Sequence, residues 1–248
     1  MIFTSLFIGN FMSQRILAFV RFFKEELHRD MFMRGDLYMN RLKFFKQYEE
    51  ENESNVGDRH EAVSHWLQPD EVTISMGDPQ TGKLIKLEGI SSPVPVQYLT
   101  FDNYYVYCLF AIYFDDEECF ESLEDMRLKI LPDARAKDLG DYCSIIEAEP
   151  FIRRLDAVLL GASKTGFNLG RGLVEYFDPE NFSGSFNGQD AILRKKSNFS
   201  HQREYRIFMH DMTIGSEPRV LKIGDLSDIT FSCHKSELAK VIVLDENI

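Results

Sequence analysis

The sequence predicts an α+β fold in a single domain, built on a mixed, mostly antiparallel sheet with a few short helices. Three observations predict it. Short runs of β-branched and aromatic residues bounded by turn residues outnumber the helical patterns. One of those runs, Tyr104 to Tyr113, is almost unbroken by polar residues and belongs in the centre of a sheet. No internal repeat or low-complexity linker interrupts the 248 residues, a length that one large domain accommodates with a substantial core.

Met1 to Phe11 is apolar, lacks a positive n-region and a small-residue cleavage site, and is too short to span a bilayer. It reads as a loosely ordered extension over residues 1–15, with Met12 as an alternative start and the folded domain over 16–248. Leu17 to Phe23 forms a first strand carrying one charge, Arg21. Lys24 to Arg34 is helical, with Glu25 and Glu26 in the first turn and Gly35 ending it. Asp36 to Asn40 is a second strand, and Leu42 to Glu51 a short helix. Asn52 to Asp58 is a polar turn region. Gly57-Asp-Arg-His-Glu61 then either binds an anion or arranges acid-base groups, or starts a helix with Asp58 as N-cap. Short strands follow at Val72 to Met76, Leu84 to Leu87 and Val94 to Leu99.

Asp115 to Asp125 is an acidic connection or helix start, without the spacing of a calcium loop. Phe151 to Leu160 is helical. Gly161 to Gly172 contains Gly-Ala-Ser-Lys-Thr but lacks the glycine spacing of a phosphate loop, and reads as a flexible loop. Leu173 to Phe177, Val220 to Ile223 and Lys240 to Leu244 are strands, with Ser236 to Ala239 a helical turn.

Composition narrows the function. Hydrophobic residues make up 44% and charged residues 27%, values of a globular chain. The net charge of −12 argues against general nucleic-acid binding, which draws its affinity from a basic surface. The 21 Phe and 10 Tyr against one Trp place some rings at an interface. Cys108, Cys119, Cys143 and Cys233 are widely spaced, and with the histidines they make no zinc pattern, so no metal and no resident cofactor is expected. Arg194, Lys195 and Lys196 form the one dense basic cluster, open to an anionic ligand or to surface salt bridges.

Asn198 to Asp211 carries the most chemistry. Read as a strand from Gln202, it places Gln202, Glu204, Arg206 and Phe208 on one face and Arg203, Tyr205, Ile207 and Met209 on the other. A carboxylate flanked by an amide and a guanidinium is held ionised and oriented, which suits either a site or a structural ion pair.

Gly35-Asp-Leu-Tyr-Met-Asn40 with Phe44-Phe45, Gly57-Asp-x-x-Glu61, and Phe199-Ser-His-Gln-Arg-Glu-Tyr-Arg-Ile207 resemble a group of uncharacterised bacterial and bacteriophage proteins. The layout also resembles the ADP-ribosyltransferase superfamily, in which a first-strand Arg or His faces the dinucleotide and a late Gln/Glu-x-Glu strand supplies a carboxylate. That resemblance implies roles for Arg21, Gln202 and Glu204 at NAD, with Glu204 stabilising an oxocarbenium-like ribose. The chain departs from the pattern in having no Gly-Thr after Arg21 and no Ser-Thr-Ser on the second strand.

Two functions are therefore expected, beside a third reading of a nuclease-like or phosphate-handling site built from Asp58, Glu61, Glu204 and Lys196, which requires those groups to converge in space. The first is a phage or bacterial conflict protein, an anti-defence or defence component in the bacterial cytoplasm, that binds a protein of an immune or host system through acidic and aromatic surfaces. It has no membrane segment, and self-association is left open. The alternative is a mono-ADP-ribosyltransferase or NAD-cleaving enzyme, with Glu204, Gln202 and Arg21 as its catalytic set. In either case the ligand-binding candidates are Tyr38, Asp58, Glu61, Lys196 and Arg206.

Overall fold

A computed structural model describes residues 6–8, 14–51, 58–115, 118–133, 135 and 139–242. In chain order its first half contains β1 (Leu6–Ile8), β2 (Gln14–Phe23), α1 (Glu26–Met33), β3 (Asp36–Arg41), α2 (Leu42–Glu51), β4 (Val63–Leu67), β5 (Ser75–Gly77), β6 (Leu84–Lys86), β7 (Val94–Gln97) and β8 (Tyr105–Asp115). The second half contains α3 (Leu123–Ile130), β9 (Tyr142–Glu147), α4 (Ala148–Ser163), β10 (Asn168–Leu173), β11 (Glu175–Phe177), β12 (Gly184–Ser185), β13 (Arg194–Lys196), β14 (Glu204–His210), β15 (Arg219–Lys222), β16 (Thr230–His234) and α5 (Leu238–Val241). The architecture is α+β and mostly antiparallel.

The apolar run around Tyr105 becomes β8 because buried strands carry side chains that pack on both faces. It lies inside the main sheet, whose order is β1-β10-β14-β8-β2-β9-β16, with β3 joining β8 and β15. On one face, Tyr105, Tyr107, Leu109 and Ala111 pack with Phe19, Tyr205, Ile207, Met209 and the Phe151, Leu155 and Leu159 stripe of α4. On the other, Val20, Phe22, Phe110 and Ile112 form one cluster with Ile130 and Leu238. Val106 and Phe208 form another with Leu42 and Ile192. The i, i+4 spacing of Phe151, Leu155 and Leu159 gives α4 a single buried face.

One irregularity positions the site. β2 pairs with β8 from Gln14↔Asp115 to Val20↔Phe110. On the same edge β3 pairs with β8 only at Asn40↔Val106 and Arg41↔Tyr105. Over residues 107–109 neither strand completes the ladder, so the sheet splits there. On its other edge β2 pairs with β9 from Ala18↔Glu147 to Phe23↔Tyr142, and past Val20 only that pairing continues, with Arg21 opposite Ser144 and Phe22 opposite Cys143.

Gly35 links α1 to β3 at φ +80°, against the turn around Gly224. Its carbonyl accepts from the Ile223 amide at 2.9 Å.

Several expectations are corrected. Gly161 to Gly172 is not a flexible loop: α4 runs to Ser163 and β10 begins at Asn168. Lys240 and Val241 belong to helix α5, not to a closing strand, and residues 243–248 lie outside the described residues. Asp58 caps no helix, since residues 59–62 form a turn. Gln202 ends a 3-10 turn and Arg203 adopts φ 39°, so the strand begins at Glu204. Strands β4 and β16 had no counterpart in the sequence reading. Within the stretch read as a loose extension, Leu6–Ile8 pairs in parallel with β10, and Gln14 and Arg15 belong to β2. The polar turn over residues 52–57 lies outside the described residues, as do Asp116 and Glu117 of the acidic connection. Among the described residues no helix is long and apolar enough to cross a membrane.

Candidate functional site

Alternation along β14 turns Glu204, Arg206 and Phe208 to one face of the sheet, as the spacing predicted. Arg206 lies opposite Gly172 on β10 and Cys108 on β8, and Phe208 opposite Gly170. Residues directly paired across a sheet project to the same side. The two glycines therefore leave that side clear of competing side chains from β10, which makes room for a guanidinium.

Arg206 is 1% exposed. Its Nε donates to Glu204 Oε1 at 2.6 Å, and its Nη1 donates to Glu61 Oε2 at 2.8 Å and to the Ile192 carbonyl at 2.6 Å. Lys195 closes the ring, with Nζ at 3.0 Å from Glu61 Oε1 and 3.3 Å from Glu204 Oε2. It also donates to Gln202 Oε1 at 2.8 Å. Two cations and two anions thus alternate around a closed square, and every member is almost fully buried. Such burial is tolerable because the charges cancel and the polar atoms are paired.

The electrostatics follow from that arrangement. Burial alone would raise the Glu204 pKa, but the charges of Arg206 and Lys195 outweigh it and hold the carboxyl below its ordinary range. Burial opposes the charge on Lys195, yet Glu61 and Glu204 hold its pKa above the ordinary value. The Cys108 thiol, beneath Glu204, is pushed up to about 12 by burial and by the neighbouring carboxylate. The Glu204 amide donates to the Tyr176 hydroxyl at 2.9 Å, fixing the start of the strand.

A cavity of about 280 Å³ lies over this quartet, in the split between β2 and β3. Arg21, Phe22 and Lys24 line it from β2 and its end, Tyr38 and Asn40 from β3, and Glu61, Lys195, Gln202, Glu204 and Arg206 from the floor. A second cavity of about 460 Å³, lined also by His28, Met31 and Phe32 of α1, shares Arg21, Phe22, Tyr38 and Tyr107 with it. The two adjoin through the split, and their sizes are those of small-molecule sites.

Arg21 stands at the waist. Its Nη1 donates to the Cys108 carbonyl at 2.7 Å, taking the place of a missing ladder bond. Its guanidinium lies 4.9 Å from the centre of the Tyr107 ring. Its Nε is buried without a hydrogen-bond partner, and no carboxylate among the described residues forms an ion pair with it. Burial pushes the Tyr107 hydroxyl up to about 12, against the pull of Arg21. With the quartet neutral, Arg21 and Lys24 leave the walls of the first cavity positive, a setting for an anionic group, whereas Glu25 and Asp36 balance them in the second.

Of the residues that the sequence singled out, Arg21, Tyr38, Glu61, Gln202, Glu204 and Arg206 converge on this cleft. Asp58 and Lys196 do not line it. They form a separate pair of a half-buried lysine and a buried carboxylate, with Lys196 Nζ 3.3 Å from Asp58 Oδ1 and 3.0 Å from His60 Nδ1. In the sequence Lys195 is one of three consecutive basic residues. The signal that separates it is alternation along β13: Arg194 reaches out to Glu175, while Lys195 points inward. Tyr107 lay hidden in an apolar run.

No family model matches this chain, and neither a curated protein nor a solved structure does.

Proposed function

We propose that this protein binds a small anionic, ring-bearing molecule of the nucleotide class in the cleft where its sheet splits, and that the molecule is NAD, cleaved at the nicotinamide–ribose bond. The observation that carries the reading is Arg21: a cation at the waist of two adjoining cavities, with no carboxylate partner among the described residues and with a buried, unpartnered Nε. Convergence of Arg21, Gln202 and Glu204 on that cleft is what the resemblance to ADP-ribosyltransferases asks of those positions, and it supports the choice of NAD. Tyr38 and Phe22 line the same cavity as the cation and supply aromatic surface there.

In this reading Arg21 meets a phosphate oxygen. Glu204, ionised and immobilised by Arg206 and Lys195, faces the ribose carbon as nicotinamide departs with the electrons of the broken bond. Water or an acceptor hydroxyl then bonds to that carbon and loses a proton. The flanking cations offset part of the Glu204 charge, so turnover is modest.

Calorimetry with NAD and release of labelled nicotinamide test the reading together. Arg21→Gln is expected to weaken binding about tenfold or more, the loss of one charge-assisted hydrogen bond of about 1.5 kcal/mol or more. Glu204→Gln is expected to retain binding and lose release by about 100-fold. No binding by the parent chain overturns the choice of NAD, and binding unaffected by Arg21→Gln overturns the site.

A second reading, capture of an immune or host protein, is favoured by the β5–β6 ribbon. Met76, Leu84 and Ile85 are all more than half exposed on it, and a solvent-facing apolar group of this kind marks an interaction site. Leu84→Asp with Ile85→Asp is expected to abolish stoichiometric capture of a partner from host lysate while leaving the melting temperature within about 2 °C, since the ribbon contributes little to the core. Capture that survives both substitutions removes the ribbon as the interface.

A further inference from the structure

Cys143 and Cys233 sit directly opposite each other on β9 and β16, and their sulfur atoms are 3.3 Å apart. Both are free thiols. Directly paired antiparallel residues have Cα atoms about 4.5–5.5 Å apart, inside the range that a disulfide spans. Closing the sulfurs to a bond of about 2.05 Å then takes side-chain rotation rather than strand movement. The two differ in access: Cys143 is fully buried, while Cys233 is partly open to solvent. Cys143 packs with Val20, Phe22 and Phe110, and those three side chains also line the cavity above the charged quartet.

We propose that Cys143 and Cys233 form a reversible oxidation site, converted to an intramolecular disulfide by a low-molecular-weight disulfide such as oxidised glutathione. The Cys233 thiolate attacks one sulfur of the oxidant, forming a mixed disulfide and expelling one glutathione thiolate. The Cys143 sulfur, already in contact, then displaces the second glutathione, and its proton leaves with that thiol. In sum two protein thiols and one glutathione disulfide give one protein disulfide and two glutathione thiols, so two electrons pass from protein to oxidant. Burial pushes the Cys143 thiol up to about 12 and raises that of Cys233, which makes the exchange slow. In a reducing compartment a bond of this kind forms transiently under oxidative load. It links residues 90 apart in sequence and ties the edge strand β16 to the strand that supports Arg21 and Phe22.

The test uses the full chain carrying Cys119→Ser, which removes the exposed thiol. After incubation with excess oxidised glutathione, the chain is denatured, its remaining thiols are alkylated, and its mass and peptides are read. The expected product has lost two hydrogens, links Cys143 to Cys233, reverts with dithiothreitol, and melts several degrees higher than the reduced chain. Adding Cys143→Ser is expected to trap glutathione on Cys233, since the resolving thiol is gone. Unchanged mass overturns the proposal, and so does glutathione that persists on Cys233 while Cys143 is intact. Because the first readout is made with both cysteines present, a misfolded serine variant does not decide the outcome.

Discussion

Arg206→Met is expected to destabilise the fold by about 3–5 kcal/mol, because it strips a buried square of four charges of one corner and leaves two carboxylates sharing one cation. For a chain of this size each kcal/mol corresponds to about 2–4 °C, so the melting temperature falls by about 6–20 °C. Pairing the change with Glu204→Gln removes one charge of each sign, and the double variant is expected to be more stable than the sum of the single losses by about 1–3 kcal/mol. Differential scanning calorimetry of the four proteins reads both quantities. A single-variant shift under about 2 °C would mean that water reaches the square and screens it. The same square sets the pH limits of stability. Glu204 titrates below its ordinary 4.5 in the fold, so its contribution is full above that value and is lost as pH falls through the depressed one. Lys195 titrates above its ordinary 10.5, so its contribution is full below that value and is lost as pH rises through the elevated one. Between about 5 and 10 the quartet's contribution is flat.

The second large effect is at a residue without a side chain. A Cβ on Gly35 would lie 1.8 Å from the Gly224 carbonyl oxygen, backbone against backbone, at φ +80°. The positive φ costs an alanine about 1–2 kcal/mol, and relieving the overlap adds about 1–3 kcal/mol. Gly35→Ala is therefore expected to cost about 2–5 kcal/mol in chemical denaturation, and to detach the turn before Leu226 from the end of α1. Gly82→Ala makes the control: it also has positive φ, but nothing lies within 4 Å of its Cβ, so only the smaller conformational cost remains. Equal losses at the two sites would show that the approach of Gly224 is not tight.

Where a local pattern and the tertiary demand coincide, the chain was legible. The run around Tyr107 is apolar on both faces because β8 is buried on both, and Glu204 and Arg206 alternate with Tyr205 and Ile207 because their faces differ. Where a residue's role is set by something distant, the pattern misled. Gly170 and Gly172 look like loop residues, yet they lie in a strand because Phe208 and Arg206 stand opposite them. Gln202 does reach the site, though not by strand alternation. It arrives from a 3-10 turn through the left-handed Arg203, whose guanidinium donates to the Ala111 carbonyl at 3.3 Å. Lys195 gave no sign of its importance, since a lysine between two basic neighbours has the composition of a solvated surface. Only the closure of β13 against β11 turns it inward.

The interrupted ladder between β2 and β3 also makes the sheet an unfinished one, with an arginine side chain supplying a rung that backbone would ordinarily provide. A molecule entering that gap becomes part of the fold's own cohesion. Occupancy and folding free energy are then two readings of the same quantity, and at a hundred times its dissociation constant a resident of the gap adds about 2.7 kcal/mol. Heating the chain in the presence of candidate compounds thus ranks them by affinity with no assay of what the protein does to them.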